Sequence, residues 1–170
     1  TACEYDGKLA FLPTGFSLQT LIGKADDVGT TPGWTLDDVK AMLASNPEGT
    51  QLLYAMYRTA AMDFCMNLGY NDFIDWEAGT CNFDSQEFVD ILEFAATFPE
   101  QFEYNDEGED TSVLLNTGRQ LLDSYYMSDF NQVQLYRVIF GGDTTFIGYP
   151  TTNGNGALLN FSNILGISKN

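Results

Sequence analysis

The chemistry open to this chain is bounded by what it lacks. Its 170 residues contain no histidine. That removes the usual general base, the usual zinc ligand and any Ser-His or Cys-His nucleophilic pair. The three cysteines, Cys3, Cys65 and Cys81, form no C-x-x-C pair, so neither a zinc knuckle nor a thioredoxin-type centre is encoded. A Cys65–Cys81 bridge would contribute about 3 kcal/mol by closing its loop. Sequence supplies no geometry for that bridge, and three small, partly buried thiols are the preferred reading.

Asp75 and Glu77 flank Trp76 and offer themselves as a glycosidase carboxylate pair. Two residues apart on a strand, they stand side by side on one face, without the separation such chemistry needs. A hairpin edge with solvated charges is the better reading. The run Asp106-Glu107-Gly108-Glu109-Asp110 invites calcium but lacks ligands at alternate positions and a bidentate Glu at the twelfth place; it reads as a solvated loop. Gly154-Asn155-Gly156 leads into strand-like Ala157-Leu158-Leu159 and has no lysine nearby. It is therefore no phosphate cradle, and a hinge suits it better, since hinges take up backbone rotation in a few small residues.

The more informative stretch is Tyr125-Tyr126-Met127-Ser128-Asp129-Phe130. A strand that ends in aromatics and runs into a capped helix gathers ring faces, a hydroxyl and helix N–H groups along one edge. Sugars ask for that mixture: apolar faces for their C–H surfaces and oriented polar groups for their hydroxyls. The plainer alternative is a core tyrosine pair with an ordinary N-cap. A second candidate is Tyr57-Arg58-Thr59, at the entry to a helix, where a lone arginine also suits a local cap or ion pair.

These residues must be positioned by a folded body, and the composition supports one. The hydrophobic fraction is 44%, with 13 Phe and 9 Tyr, so the chain can bury a real core. No apolar run reaches the length of a membrane-spanning helix. With 24 acidic residues against 7 Lys plus Arg, the formal net charge is −17. Such a surface repels phosphate backbones and anionic lipid, which argues against nucleic-acid binding.

Along the chain, Leu9–Leu12 reads as an apolar strand broken at Pro13-Thr14-Gly15, with a second strand over 16–22 having one strongly buried face. A turn-rich loop follows over 26–33. Thr35 and Asp38 form a capping signature for a helix carrying Leu36, Val39, Met42 and Leu43, which ends at Asn46-Pro47, with Trp34 as a staple. A short buried strand is expected over 51–55 and a helix over 59–68. A hairpin should lie around Glu77-Ala78-Gly79. Asp84 with Glu87 signals a helix with Phe88, Ile91, Leu92 and Ala95 on one stripe. A short helix over 111–117 and a strand over 120–127 come next. A helix over 130–140 is capped by Asp129, with Gln132 reciprocating and Phe130, Val133, Tyr136 and Phe140 on its apolar face. A strand over 144–149 stops at Pro150, and two strand-like pieces cover 158–161 and 164–167. Helices interleaved with short strands make an α/β pattern.

Two phrases bracket the body: Leu9-Ala10-Phe11-Leu12-Pro13-Thr14-Gly15 and Phe146-Ile147-Gly148-Tyr149-Pro150-Thr151, each an apolar strand that stops at Pro-Thr. Together with LPTGFSLQTLIGK, FIDWEAGTCNFDSQEF, QLLDSYYMSDF and GGDTTFIGYPTTNGNG, in this order and spacing, the chain resembles the family 1 extracellular solute-binding proteins of bacterial ABC importers. That group includes maltose-binding protein. The resemblance covers nearly the whole chain. It implies the second lobe of a periplasmic-binding-protein-like type II fold, with helices around a small mixed sheet. Residues 1–15 would be a first inter-lobe crossing, 16–147 the lobe, and 148–170 the second crossing with strands returning to a first lobe outside this sequence. The sequence would thus be a piece of a longer exported protein.

The resemblance further implies ligand contacts from Tyr126, Ser128 and Phe130, with Tyr57 and Arg58 on the rim. Hinge positions would be Pro13, Thr14, Gly15, Pro150, Thr151 and Gly154. It implies no catalytic residue, metal or cofactor. The partners would be a small-molecule ligand, a sugar by preference, and the permease subunits of the transporter. The location would be extracellular, on a membrane-anchored lipoprotein. The two bracketing segments should lie side by side. A secreted glycan-processing enzyme and a surface adhesion domain are the alternatives.

Overall fold

The structure is a computed structural model, and it describes residues 3–102, 108–154 and 156–166. Its organising element is β3, Leu12–Lys24, a 13-residue strand. Along one side of its C-terminal half runs β6, Leu122–Met127, antiparallel with Gln19 opposite Tyr126 and Leu21 opposite Ser124. Its other side is shared. β7, Thr144–Phe146, pairs with the C-terminal end, and β8, Leu158–Leu165, pairs with Leu12–Gln19. All three ladders are antiparallel. Among the described residues, parallel pairing enters through an isolated bridge between Gln51 and Gln120, where the Leu121 N–H donates to the Gln51 carbonyl at 3.0 Å. The segment expected as a strand over 51–55 is reduced to this bridge, with Leu52 buried beneath it. Two small hairpins complete the strands: β1, Glu4–Tyr5, with β2, Lys8–Leu9; and β4, Ile74–Asp75, with β5, Thr80–Cys81.

The expected break at Pro13-Thr14-Gly15 does not occur, because β3 runs straight through it. Among the described residues, this half of the strand has β8 on one side and no strand on the other. A proline costs no ladder bond where its nitrogen faces an open edge. Thr14 Oγ1 also donates to the Asn163 carbonyl at 3.0 Å, tying the two strands together. Likewise the two pieces expected over 158–161 and 164–167 are one strand, with Ile167 outside the described residues.

The helices are α1, Ala25–Val28; α2, Leu36–Ser45; α3, Arg58–Met66; α4, Gln86–Ala96; α5, Thr111–Asn116; and α6, Asn131–Ile139. α1 occupies what reads in sequence as a turn-rich loop. At the start of α2 the capping box is complete: the Thr35 N–H donates to Asp38 Oδ2 at 2.8 Å and the Asp38 N–H returns to Thr35 Oγ1 at 3.4 Å. The α4 cap is Ser85, one residue later than Asp84, with its hydroxyl accepting from the Phe88 N–H. That helix buries Ile91, Phe94 and Ala95, while Leu92 of the expected stripe is 46% exposed. On α3 the buried positions are Ala61, Phe64 and Cys65.

Alternation along β3 explains the layers. Leu21 and Ile22 are adjacent and both wholly buried, so they must point to opposite faces. Leu21 joins a core with Leu122, Val39 and Met42 of α2, Phe64 of α3, and Ile91 and Phe94 of α4. Ile22 joins a smaller core with Leu115 of α5, Tyr136 of α6 and Phe140 at the end of α6. A three-layer α/β body results, with the sheet in the middle. Each fully buried leucine or isoleucine contributes about 1.5–3 kcal/mol. The expectation of a single buried face for 16–22 is thereby corrected: both faces are covered from Gln19 to Ile22, while Phe16 stays exposed. All three cysteines are free, with Cys65 buried and Cys81 exposed.

Candidate binding edge at the end of the sheet

The site grows from the register of β3 and β6. Paired residues point to the same face, so Gln19 and Tyr126 stand together on the face covered by α2, α3 and α4. The helical cover ends here. Leu122 is fully buried, Ser124 is exposed, and Tyr126 is 60% exposed. Gln19 is nearly buried, and its amide Nε2 donates to Asn67 Oδ1, at the end of α3, at 3.2 Å. The Tyr149 phenol lies beside both amides. Burial pushes this phenol's pKa up and the two amides pull it down. Tyr149 also lies against Phe64, with ring centroids 6.4 Å apart. An amide-and-phenol cluster therefore sits in the floor beside an exposed aromatic ring.

The rim continues through the β6–α6 junction. Ser128 is exposed and Phe130 is 81% exposed, so the apolar face expected for α6 loses Phe130 and is carried by Tyr136 and Phe140. Phe130 itself occupies the N-cap position without a side-chain cap bond. Asp129 Oδ1 accepts from the Asn131 N–H at 2.7 Å, and Gln132 Oε1 accepts from the N–H groups of Ser128 and Asp129. On the opposite face, Gln132 Nε2 donates to the Tyr125 hydroxyl at 2.6 Å, and the Tyr136 hydroxyl donates to Asp123 Oδ2 at 3.0 Å. Burial raises the Asp123 carboxyl, against the pull of the Tyr136 hydroxyl and the Ser124 N–H. Tyr125 is thus held inward by Tyr136 and Gln132, and Tyr126 is left facing out.

Tyr57 and Arg58 lie elsewhere. They begin α3, and the Arg58 N–H donates to the Pro99 carbonyl at 2.9 Å. The opposite end of α3 is the one that meets Gln19, about 13 Å away at ~1.5 Å per residue. No described hydrogen bond joins the Tyr57–Arg58 corner to the Tyr126 edge.

The segment after β7 is tied closely to the body. Trp34 Nε1 donates to the Gly148 carbonyl at 2.7 Å, and the Thr151 N–H donates to the Trp34 carbonyl. Pro150 and Thr151 are buried. The Tyr149 N–H donates to the Gly156 carbonyl at 2.7 Å, so 149–156 closes on itself. Two glycines make this possible. A Cβ on Gly33, at φ +92°, would lie 2.1 Å from the Gly154 carbonyl oxygen, and one on Gly156 would lie 1.6 Å from that of Tyr149. Pro13, Thr14 and Gly15 sit on β3 opposite β8, with Leu12 paired to Leu165 and Gln19 to Leu158; the other bracketing phrase, 146–151, instead meets the far end of β3, where Phe146 pairs with Ile22 and the Gly148 N–H donates to the Leu21 carbonyl.

Two concavities lie apart from this edge. One, of about 510 Å³, is lined by Thr35, Cys65, Asp72, Glu87, Ile91 and Thr151. The other, an open depression of about 630 Å³, surrounds Trp76 on the β4–β5 hairpin. Neither includes Tyr126, Ser128 or Phe130, so the edge is a platform, not a pocket. Asp75 and Glu77 face solvent, and Asp75 Oδ1 caps the turn by accepting from the Glu77 and Ala78 N–H groups. Of the acidic run, 106 and 107 lie outside the described residues; Glu109 pairs with Arg119. Among the described residues no three acidic or thiol groups converge as a metal site requires, and no helix is long and apolar enough to cross a membrane.

Comparison with protein-family models and with curated proteins gives no match. Solved structures do give matches, at low identity. An ABC transporter solute-binding protein from Thermotoga lettingae bound to α-D-tagatose is 14% identical, over 94% of this chain and 46% of its own, with a TM-score of 0.47. The extracellular solute-binding protein of Staphylococcus aureus in complex with maltose is 17% identical, over 95% and 46%, with a TM-score of 0.47. The GacH receptor of Streptomyces glaucescens, solved unliganded and with acarbose, is 14% identical, over 96% and 45%, with a TM-score of 0.48. The chain spans just under half the length of the proteins it matches.

Proposed function

We propose that this chain is one lobe of a solute-binding protein that holds a carbohydrate at the Tyr126 edge without chemically changing it. The observation that carries this reading is the pairing of an exposed Tyr126 ring with the nearly buried Gln19 amide beneath it. An aromatic face accepts the C–H surface of a sugar ring, and fixed amides and hydroxyls answer its hydroxyl groups. The edge is open because it is half of a cleft. Residues 1–15 and 148–170 carry the chain across to a second lobe that closes over the ligand, with Pro13, Thr14, Gly15, Pro150, Thr151 and Gly154 taking up the motion. The ligand then passes to the permease of an ABC importer, outside the cell, from a protein tethered by a lipid.

A platform that covers only one side of its ligand binds weakly. Calorimetry of this chain against neutral mono- and oligosaccharides should show millimolar affinity at best, about −4 kcal/mol. Tyr126→Ala should remove the edge's share of that heat. Tight binding that survives Tyr126→Ala would remove the edge from consideration.

A further inference from the structure

The β4–β5 hairpin carries a feature that neither the core nor the Tyr126 edge explains. Trp76 is 68% exposed. Among the described residues it joins neither hydrophobic cluster and no ring pair. Yet it is not left to swing: its Nε1–H donates to Asn71 Oδ1 at 2.9 Å. The turn beneath it is equally fixed, with the Glu77 and Ala78 N–H groups at 3.0 and 2.9 Å from Asp75 Oδ1. A bare indole held in one orientation, with no packing role, is an arrangement suited to receiving something flat and partly apolar.

The surroundings narrow the class. The depression beside the ring, about 630 Å³, is lined by Asn71, Asp75, Glu77, Thr80 and Asn82. Carboxylates there accept hydroxyl protons, and the amides and the threonine both donate and accept. No Lys or Arg lines it, and the chain carries a net charge of −17, so phosphate, sulfate and acidic glycans are repelled. We propose that Trp76 and the depression beside it form a second, shallow carbohydrate site for uncharged oligosaccharides. It shares no residue with the Tyr126 edge, and it stands whether or not that edge binds sugar.

Tryptophan fluorescence tests this directly, because the two indoles are so different: Trp34 is 6% exposed and Trp76 is 68% exposed. Titration of the 170-residue chain with neutral malto- and chito-oligosaccharides should give a saturable blue shift in the millimolar range. Trp76→Phe should lose the shift, Tyr126→Ala should keep it, and Asn71→Ala should weaken it about five-fold. The exposed thiol of Cys81 lines the same depression. Its alkylation, followed by mass spectrometry, should slow with ligand present. No saturable response, a response that persists in Trp76→Phe, or an equal response to tetramethylammonium would overturn the proposal. The last outcome would mark the ring as a cation site.

Discussion

Gln19 and Tyr126 stand opposite each other across β3 and β6 on one face of the sheet, the first nearly buried and the second 60% exposed. Gln19 is held by Asn67 and Tyr149, residues that close α3 and precede Pro150. The cluster thus links the strand, the helix end and the segment leading to β8. Gln19→Ala leaves the half-buried Asn67 amide and the buried Tyr149 phenol short of a partner and is expected to cost about 1–3 kcal/mol. Denaturant unfolding of the variant checks this, and a change below about 0.3 kcal/mol, well under that range, would mean the cluster is not a structural tie.

Some of this was legible from local sequence and some was not. Thr35 and Asp38 lie three residues apart, so their box could be read directly, as could the hairpin around Gly79. Pro13 misled, because the strand that makes β3 continuous there, β8, lies far along the chain. The alternation over 16–22 put Gln19 on the less buried face of its strand; the helices covering that face, α2, α3 and α4, bury it. The aromatics at 125–130 marked the β6–α6 junction as the candidate, but which tyrosine faces out depends on Tyr136 and Gln132 holding Tyr125. Nothing near Gln19 in sequence announces Asn67 or Tyr149.

The Thr35 box gives a pH dependence. Backbone and side-chain hydrogen bonds from Thr35 hold the Asp38 carboxyl below its ordinary value of 3.8. A lowered folded pKa contributes stability that is present above the unfolded value and lost as pH falls through the folded one. Melting temperature should therefore drop below about pH 4, and Asp38→Asn should flatten that part of the curve. Thr35→Ala should cost about 1 kcal/mol at neutral pH.

Burial pushes the Cys65 thiol up to about 12, while Cys81 is exposed. At pH 8 a thiol reagent should label Cys81 quickly in the native chain and reach Cys65 only on unfolding. Site-resolved mass spectrometry distinguishes the two, and native labelling of Cys65 would contradict the packing around α3.

The β3–β8 ribbon leaves Leu12, Phe16, Ile164 and Leu165 between 51% and 60% exposed. Apolar ribbon surface of this kind associates. Sedimentation should show concentration-dependent self-association of this chain, relieved by Leu12→Glu with Leu165→Glu.

The central claim is that sugar meets this chain at the Tyr126 edge. Backbone amide shifts, followed by NMR as neutral oligosaccharide is added, test it residue by residue. The largest edge shifts should fall at Gln19, Tyr126, Ser128 and Phe130, separable from any at Trp76 and absent in Tyr126→Ala. An unperturbed edge at tens of millimolar ligand, well above the millimolar affinity expected of a half-site, would contradict it.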